Sequence, residues 1–161
     1  MDEICDKPIG VVHSPYVSPA QTLRQPRMSL GTEGSVEVFD QYAEGLADLE
    51  GFSHIVLLCH LHLSSGYSLR VQPPWSDAPR SLFATRSPRR PNPIGLSIVR
   101  LTGIEKGTLY IRDIDMVDGT PVLDIKPYVP PFDGDAHVRQ GWMEGRIQED
   151  SAAGTGKGEV T

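Results

Sequence analysis

Apolar and polar residues alternate over several short stretches of this chain with the two-residue period of β-strands. The strongest example is residues 54–63. One predicted face holds Ile55, Leu57, Cys59, Leu61 and Leu63, and the other holds His54, Val56, Leu58, His60 and His62. Because Val56 and Leu58 make much of the second face apolar as well, the pattern predicts a central strand that is buried on both faces.

Five further stretches carry shorter strand patterns: residues 9–13, 36–39, 96–104, 109–114 and 122–125. Gly103 and Gly107 bracket the predicted turn between the third and fourth of these. Residues 42–49 have apolar side chains at helical spacing and are predicted as a short amphipathic helix that ends at Gly51. Many short strands joined in this way favour a mostly-β barrel with one short helix and long Pro/Gly-rich loops.

The chain has 161 residues, enough for one domain with a hydrophobic core. We expect that domain to span residues 1–140, and residues 141–161 to form a disordered tail rich in small and polar residues. No apolar run of 18 residues and no secretory signal are visible, so a cytoplasmic location without membrane attachment is expected. In that reducing compartment Cys5 and Cys59 are expected to stay unpaired.

Residues 83–97, here called the arginine segment, read Phe-Ala-Thr-Arg-Ser-Pro-Arg-Arg-Pro-Asn-Pro-Ile-Gly-Leu-Ser. Prolines keep this segment out of helix and sheet interiors, and arginines offer planar charged groups that suit phosphates and carboxylates. The whole chain has a net charge of −6, yet residues 70–100 contain six arginines and one acid, Asp77. The local charge favours a nucleic-acid surface, although a solvated basic surface without a partner has the same composition.

Residues 115–121, here called the acidic turn, read Asp-Met-Val-Asp-Gly-Thr-Pro and follow a predicted strand. The Asp-Gly pair is typical of turns. Asp115 and Asp118 suit two roles: they cap the turn, or they hydrogen-bond a ligand and favour positive charge beside it. Spacing alone favours the turn-capping role.

His54, His60 and His62 would share one face of the strand predicted at residues 54–63. Three histidines on one face raise the hypothesis of a metal site, such as that of a metal-dependent hydrolase. No cysteine or carboxylate at ligand spacing accompanies them, and no metal is therefore expected.

Three ordered motifs carry a resemblance to a known family: residues 9–16 (Ile-Gly-Val-Val-His-Ser-Pro-Tyr), the arginine segment, and residues 115–128 (Asp-Met-Val-Asp-Gly-Thr-Pro-Val-Leu-Asp-Ile-Lys-Pro-Tyr). Over residues 8–132 the chain resembles the TsaA-like (TrmO) family. The resemblance implies an S-adenosylmethionine-dependent tRNA (adenine-N6)-methyltransferase that acts on N6 of threonylcarbamoylated adenosine next to the anticodon. It also implies a single-sheet β-barrel and a homodimer whose cofactor site lies near the dimer interface.

The same resemblance implies which residues bind the cofactor. The implied set is Arg24, Gln25, His62, Leu63, Arg86, Leu96, Asp115, Met116, Val117 and Asp118. Leu23 stands where the family usually has a proline before its Arg-Gln pair, whereas Arg24 and Gln25 match the family pattern.

Five residues are candidates for contact with the RNA or its threonyl carboxylate: Arg89, Arg90, Asn92, Lys126 and Tyr128. Arginines suit phosphates and carboxylates, and Tyr128 suits stacking on a base. Arg90 equally suits an ion pair with a neighbouring loop, and Asn92 equally suits hydrogen bonds within its own loop.

Methyl transfer from a sulfonium requires alignment of donor and acceptor, and neither a metal nor a covalent nucleophile. The catalytic residue is unknown from the sequence; Asp118 and His62 are candidates for a general base. Two alternatives to the tRNA enzyme stay open. One is an S-adenosylmethionine-dependent methyltransferase of another RNA or a small molecule, and the other is a non-catalytic S-adenosylmethionine- or RNA-binding module.

Overall fold

The computed structural model describes residues 3–22, 30–135 and 137–146. Eight strands are present: β1 Gly10–His13, β2 Glu33–Val38, β3 His54–His60, β4 Arg70–Val71, β5 Arg80–Ser81, β6 Ile94–Glu105, β7 Thr108–Arg112 and β8 Pro121–Pro127. Six of them close into an antiparallel barrel in the spatial order β1-β2-β7-β6-β3-β8, and β4 pairs with β5 in a separate hairpin. The predicted mostly-β, single-sheet barrel is confirmed.

Inward-facing side chains of the barrel strands form the core. The fully buried apolar residues include Val12, Val36, Ile55, Leu57, Val99, Leu109, Ile111 and Val122. Along β6 the burial alternates, so that Gly95, Ser97 and Val99 point inward while Leu96 and Ile98 point outward. The alternating sequence encodes this arrangement because a strand sends successive side chains to opposite faces, and burial of the apolar set stabilises the fold.

β3 departs from its prediction in two respects. The strand ends at His60, and His62 and Leu63 lie in the turn that follows. His62 therefore does not share the strand face of the other two histidines. The outward side chains Val56 and Leu58 are half-buried rather than buried, because the strand's contacts in the described part of the chain are with its sheet neighbours β6 and β8. The expected burial of both faces is wrong.

A tight hairpin connects β6 and β7. Its two loop residues, Lys106 and Gly107, both have positive φ, 48° and 81°, as a type I′ turn requires. The turn predicted at Gly107 is confirmed, whereas Gly103 lies inside β6. There the pairing register with β7 shifts between Leu101 and Gly103, which marks a β-bulge.

Asp40–Leu46 forms a 3-10 helix close to the helix predicted at residues 42–49. It ends earlier than predicted because the chain turns extended after Leu46 and then adopts a left-handed conformation at Asp48, with φ 67°. A further 3-10 turn, Leu49–Gly51, follows at once. A four-residue α-helix, Pro130–Asp133, was not expected from the sequence.

The two ends of the barrel differ. The upper end is formed by His13, Glu33, His60, Ile94, Arg112 and Pro121, and the lower end by Gly10, Val38, His54, Glu105, Thr108 and Pro127. The 3-10 helices cover part of the lower end and leave a groove of about 790 Å³ beside them. Tyr42, Leu46 and Leu49 contribute apolar lining to this groove, and Glu44 and Asp48 contribute acidic groups.

Residues 141–146 lie beside the β4–β5 hairpin and the start of the arginine segment. Trp142 Nε1 donates a hydrogen bond to the Ala84 carbonyl at 2.8 Å. These residues open the tail predicted at 141–161, of which 147–161 lie outside the described residues. The division between the domain and its tail stays a prediction.

Candidate functional site

The first and third sequence motifs meet at the upper end of the barrel, and Ser97 of the arginine segment joins them there. Ser14 Oγ donates a hydrogen bond to the Met116 carbonyl at 2.7 Å, and the Asp118 amide donates to the Tyr16 carbonyl at 2.7 Å. The Ser14 amide donates in turn to Asp118 Oδ1 at 3.1 Å, across 104 residues of sequence. The acidic turn is therefore fixed to the end of β1 by both its backbone and a carboxylate.

The acidic turn closes at Thr120. The amide and the hydroxyl of Thr120 both donate to the Val117 carbonyl, at 3.2 and 2.6 Å. Gly119 has φ 78°, a conformation that glycine adopts without steric cost. The turn expected at the Asp-Gly pair is confirmed, and it holds Asp118 at its exposed tip.

Asp115 lies half-buried at the start of the acidic turn. The wholly buried hydroxyl of Ser97 donates to Asp115 Oδ1. Burial raises the pKa of Asp115, while the Ser97 hydrogen bond, a bond to its own backbone and the positive charge of Arg86 act against that rise. A carboxylate in this setting gains from a positively charged ligand beside it, because the ligand offsets the lost hydration.

Cys59 is buried next to this carboxylate. Burial first, and then the negative charge of Asp115, raise the pKa of the Cys59 thiol from 9.0 to about 12. A thiol with that pKa stays protonated at neutral pH and is a poor nucleophile. Cys59 therefore belongs to the core beneath the site.

The barrel sheet has a gap beside Asp115. β7 pairs with β6 only along the second half of β6, from Arg100 to Glu105. The first half, residues 94–99, pairs with β3 on one side. On its other side no strand of the described residues pairs with it, and the hydrogen bond from Ser97 brings Asp115 to this stretch. The result is an unpaired edge of β6 beside the acidic turn, here called the cleft.

Peptide groups of β6 face this cleft. The Leu61 amide donates to the Pro93 carbonyl at 2.7 Å, which places Pro93 in a hydrogen-bonded pair with the continuation of β3. Along an antiparallel strand, residues whose N–H and C=O groups bond to the partner strand alternate with residues whose N–H and C=O groups point away from it. Leu96 and Ile98 thus turn their N–H and C=O groups toward the cleft, where the described residues offer them no hydrogen-bond partner.

His13, at the end of β1, lies between two carboxylates. Its Nε2 is 3.1 Å from Glu37 Oε2, and its Nδ1 is 3.5 Å from Asp118 Oδ1. Because the Ser14 amide contacts the same oxygen of Asp118, these neighbours fix the orientation of that carboxylate. Asp118 Oδ2 has no such contact from the described residues and is the oxygen available to a ligand.

Most arginines near the arginine segment are engaged within the protein. Four of them hydrogen-bond or pair with described residues: Arg70, Arg80, Arg90 and Arg100. Arg90 Nη1 donates to the Thr85 carbonyl at 2.9 Å, so this side chain shapes its own loop. Arg86 and Arg89 are exposed, and neither has a hydrogen bond or ion pair with the described residues.

Within residues 3–22, 30–135 and 137–146, histidine, cysteine, aspartate and glutamate side chains do not gather in threes as a metal site needs. Over the same residues, none of the helices has the length and apolar character that crossing a bilayer takes.

Residues 11–134 match the family described as the tRNA-methyltransferase O N-terminal domain. This chain belongs to that family. It is 48% identical over 146 residues to a probable S-adenosyl-L-methionine-binding protein of Pyrococcus abyssi, covering 91% of this chain and 79% of the relative. It is 39% identical over 134 residues to the tRNA (adenine(37)-N6)-methyltransferase of Mus musculus, covering 79% of this chain and 31% of that one. The predicted resemblance is confirmed.

The crystal structure of TrmO from Pseudomonas aeruginosa superposes on this chain with a TM-score of 0.73 at 40% sequence identity. The match covers 87% of this chain and 62% of the crystallised one. The present chain thus spans less than two thirds of that TrmO.

The tRNA-methyltransferase O fold brings most of the predicted cofactor residues to the upper end. Asp115, Met116, Val117 and Asp118 form the acidic turn, and Arg86 lies close enough to Asp115 for its positive charge to oppose part of the rise that burial causes in the Asp115 pKa. His62 and Leu63 are exposed in the turn after β3. Leu96 turns its peptide group toward the cleft, and its side chain points outward. Arg24 and Gln25, with Leu23, lie outside the described residues.

Two predicted substrate residues lie elsewhere. β8 runs from the upper end at Pro121 to the lower end at Pro127, and Lys126 lies about 17 Å along it from Pro121. Lys126 pairs with Asp124 at 2.7 Å, and the Tyr128 amide donates to the carbonyl of His54 at the lower end. One chain therefore does not bring Lys126 and Tyr128 to the acidic turn.

Several residues of the site escaped the sequence analysis. Ser97 had a usable signal, because it is a polar residue at an inward position of a strand whose other inward side chains are small or apolar. His13 and Ile98 had no such signal. The orientation of His13 depends on Glu37 from another strand, and the free peptide group of Ile98 depends on where β7 stops pairing with β6.

Proposed function

We propose that this protein is an S-adenosylmethionine-dependent methyltransferase that acts on N6 of an adenosine in tRNA. One observation of the structure carries the proposal: a half-buried carboxylate, Asp115, lies beside a strand segment whose peptide groups at Leu96 and Ile98 have no partner among the described residues. Family membership and the names of the relatives in Pyrococcus abyssi and Mus musculus support it.

The residues of the cleft fit the proposed cofactor. S-adenosylmethionine supplies an activated methyl group on a positively charged sulfonium. Asp115 and Asp118 place negative charge on the acidic turn, which favours a cation. Free N–H and C=O groups of Leu96 and Ile98 can hydrogen-bond an adenine edge, and Asp118 Oδ2 can accept from a hydroxyl or amine. The site then contributes mainly alignment of the methyl group with its acceptor.

We further propose that the acceptor is threonylcarbamoylated adenosine beside the anticodon. Arg86 and Arg89 are exposed and lack ion-pair partners in the described part of the chain, and a guanidinium suits both the threonyl carboxylate and RNA phosphates. Asp118 and His62 stay candidates for a general base. Lys126 and Tyr128 would reach this acceptor only from a second copy, and a tRNA enzyme is expected in the cytoplasm.

A homodimer is also proposed. The outward faces of β3 and β6 carry a strip of partly exposed apolar side chains: Val56, Leu58, Leu96 and Ile98. Leu96 and Ile98 are 48% and 36% exposed, and burying such a strip against a second copy would remove apolar area from water. Analytical ultracentrifugation of the protein and of Ile98→Glu tests this. A monomeric parent protein at micromolar concentration would exclude the dimer.

The experiment that tests the enzymatic proposal uses labelled S-adenosylmethionine and two tRNA pools, one with and one without threonylcarbamoyl-adenosine. Nucleoside mass spectrometry identifies the product. We expect methylated threonylcarbamoyl-adenosine from the first pool only. Transfer to both pools would refute the finer substrate, and cofactor binding without any transfer would point to a non-catalytic binding module.

A further inference from the structure

Phe83, the first residue of the arginine segment, is 73% exposed. Its neighbour Leu82 is 1% exposed and anchors the 3-10 turn Leu82–Ala84 in the protein. Because that turn fixes the backbone, the next side chain is directed into solvent. The backbone therefore presents a large aromatic ring to solvent, where a ligand can reach it.

Arg90 holds its guanidinium over this ring. The guanidinium carbon is 5.5 Å from the ring centroid of Phe83, and Nη1 is fixed by the Thr85 carbonyl at 2.9 Å. The two side chains line a concave site of about 270 Å³ together with Pro91, Asn92 and Ile94. A flat apolar ring and a flat cation thus border one small pocket.

Asn92 gives the pocket a polar edge. Its side chain is exposed and has no hydrogen bond from the described residues, and Pro91 and Pro93 restrict the backbone on both sides. A side-chain amide offers two donors and one acceptor group, which is the complement of a nucleobase edge.

We propose that this pocket binds an unstacked nucleobase of the substrate RNA, with Phe83 and Arg90 as the stacking surface and Asn92 as the group that reads the base edge. Single-stranded RNA is recognised in this way, through stacking on aromatic or guanidinium planes and hydrogen bonds to exposed base edges. The proposal rests on the proposed function in requiring an RNA substrate.

Charge and position favour RNA over a protein partner at this pocket. Arg86 and Arg89 follow Phe83 in the same segment and are exposed, which suits the phosphates on either side of a bound base. Ile94 of the pocket precedes Leu96, whose peptide group borders the cleft, by two residues of β6, which is about 7 Å of strand. The pocket is therefore next to the proposed cofactor cleft, where a nucleotide at or beside the methylated adenosine must lie.

The test compares Phe83→Leu with the parent protein in binding an anticodon stem–loop that carries the modified adenosine. Leucine keeps an apolar side chain but removes the π-face, so we expect the Kd to rise about 5- to 150-fold. Phe83→Trp should bind at least as tightly as the parent. Phe132→Leu is the matched control, since Phe132 is 85% exposed and lies outside both proposed sites.

Cofactor affinity, measured by calorimetry, should be equal in all four proteins. Stem–loops with an abasic nucleotide at the target or at either neighbour identify the base: the Phe83→Leu penalty should vanish for one of them. If the parent binds no RNA, the proposed function and this inference both fail. If the parent binds RNA and Phe83→Leu binds it equally well, the inference alone is wrong. If Phe83→Leu keeps its RNA affinity but no longer dimerises, the ring of Phe83 belongs to a contact between two copies and the inference is wrong.

Discussion

The acidic turn and the arginine segment lie near each other at the upper end of the barrel and are held in different ways. The acidic turn is tied to the rest of the barrel by hydrogen bonds to Ser14, Tyr16 and Ser97. The part of the arginine segment that precedes β6, residues 83–93, is restricted by its prolines and by Arg90 on neighbouring carbonyls, and single hydrogen bonds from Leu61, Ser64 and Trp142 reach its backbone carbonyls. A ligand of fixed shape suits the first arrangement, and a polyanion met mainly through charge suits the second.

Replacing Asp115 should give the largest difference between the two regions in their effects on cofactor and RNA affinity. Asp115→Asn keeps the shape and removes the charge, so we expect affinity for S-adenosylmethionine to fall about 10- to 150-fold, as for loss of a hydrogen bond to a charged group. RNA affinity should stay within twofold. Calorimetry and an RNA filter-binding assay measure the two. Asp48→Asn at the lower end is the control, since asparagine tolerates the left-handed backbone there. Equal losses of both ligands would contradict the separation of the two regions.

The second prediction concerns pH. Burial raises the pKa of Asp115, so cofactor affinity should fall as pH decreases through a value above the usual 3.8. Ser97→Ala removes a hydrogen bond that lowers this pKa. The fall in cofactor affinity at low pH, here called the acid limb, should therefore move to higher pH. Ser76→Ala, which also removes a buried hydroxyl, should leave the limb in place. Calorimetry from pH 4 to 8 measures the limb. An unchanged limb in Ser97→Ala would mean that Asp115 is not the titrating group.

The raised pKa of Asp115 affects folding stability and cofactor affinity in opposite directions: low pH favours the folded state but weakens cofactor binding. The folded state binds the Asp115 proton more tightly than the unfolded state does, so stability is greatest below the unfolded pKa. It declines as pH rises through the raised folded pKa. Asp115→Asn should remove that decline, which thermal unfolding at several pH values would reveal.

A smaller effect should separate two adjacent arginines. Arg89→Ala should weaken RNA binding and reduce the slope of log affinity against log salt by about 1, as for loss of one phosphate contact. Its melting temperature should not change. Arg90→Ala should lower the melting temperature, because Nη1 holds the Thr85 carbonyl. Arg139 is also exposed, so Arg139→Ala is the control for losing one positive charge. A reversed pattern, with Arg89 affecting stability, would show that the contacts of the two side chains are exchanged in solution.

The smallest expected effect lies where residues 141–146 meet the hairpin. Trp142→Phe keeps a ring below Arg80, whose guanidinium is 5.1 Å away, and removes the bond to the Ala84 carbonyl. We expect a loss of about 0.5–1.5 kcal/mol in unfolding free energy, with unchanged affinity for both ligands. Urea denaturation measures it. A change in RNA affinity larger than twofold would show that the arginine segment depends on this contact.

Periodicity predicted the barrel well because each of its strands has a buried and an exposed face. It missed Arg70–Val71 and Arg80–Ser81, since two-residue strands carry no measurable period. It also assigned too much burial to Val56 and Leu58. An apolar outer face looks the same in a sequence whether it is covered by the same chain, by another molecule, or not at all.

The site was less predictable, for a geometric reason. Motifs identified the residues of the acidic turn, but Lys126 and Tyr128, substrate candidates from the same motif, do not lie beside it. An extended strand carries the chain about 3.3 Å per residue, so β8 takes them to the other end. The cleft at Leu96 depends on where β7 stops pairing with β6, and no local pattern records that.

The strand segment around Leu96 and Ile98 presents two independent surfaces. Its side chains face outward, whereas its peptide groups face the cleft. Substitution at either position changes the outer surface and leaves the inner donors and acceptors in place, except for proline, which removes an N–H. The outside of the barrel can therefore diverge among relatives to suit different neighbours while the chemistry facing the cleft is inherited unchanged.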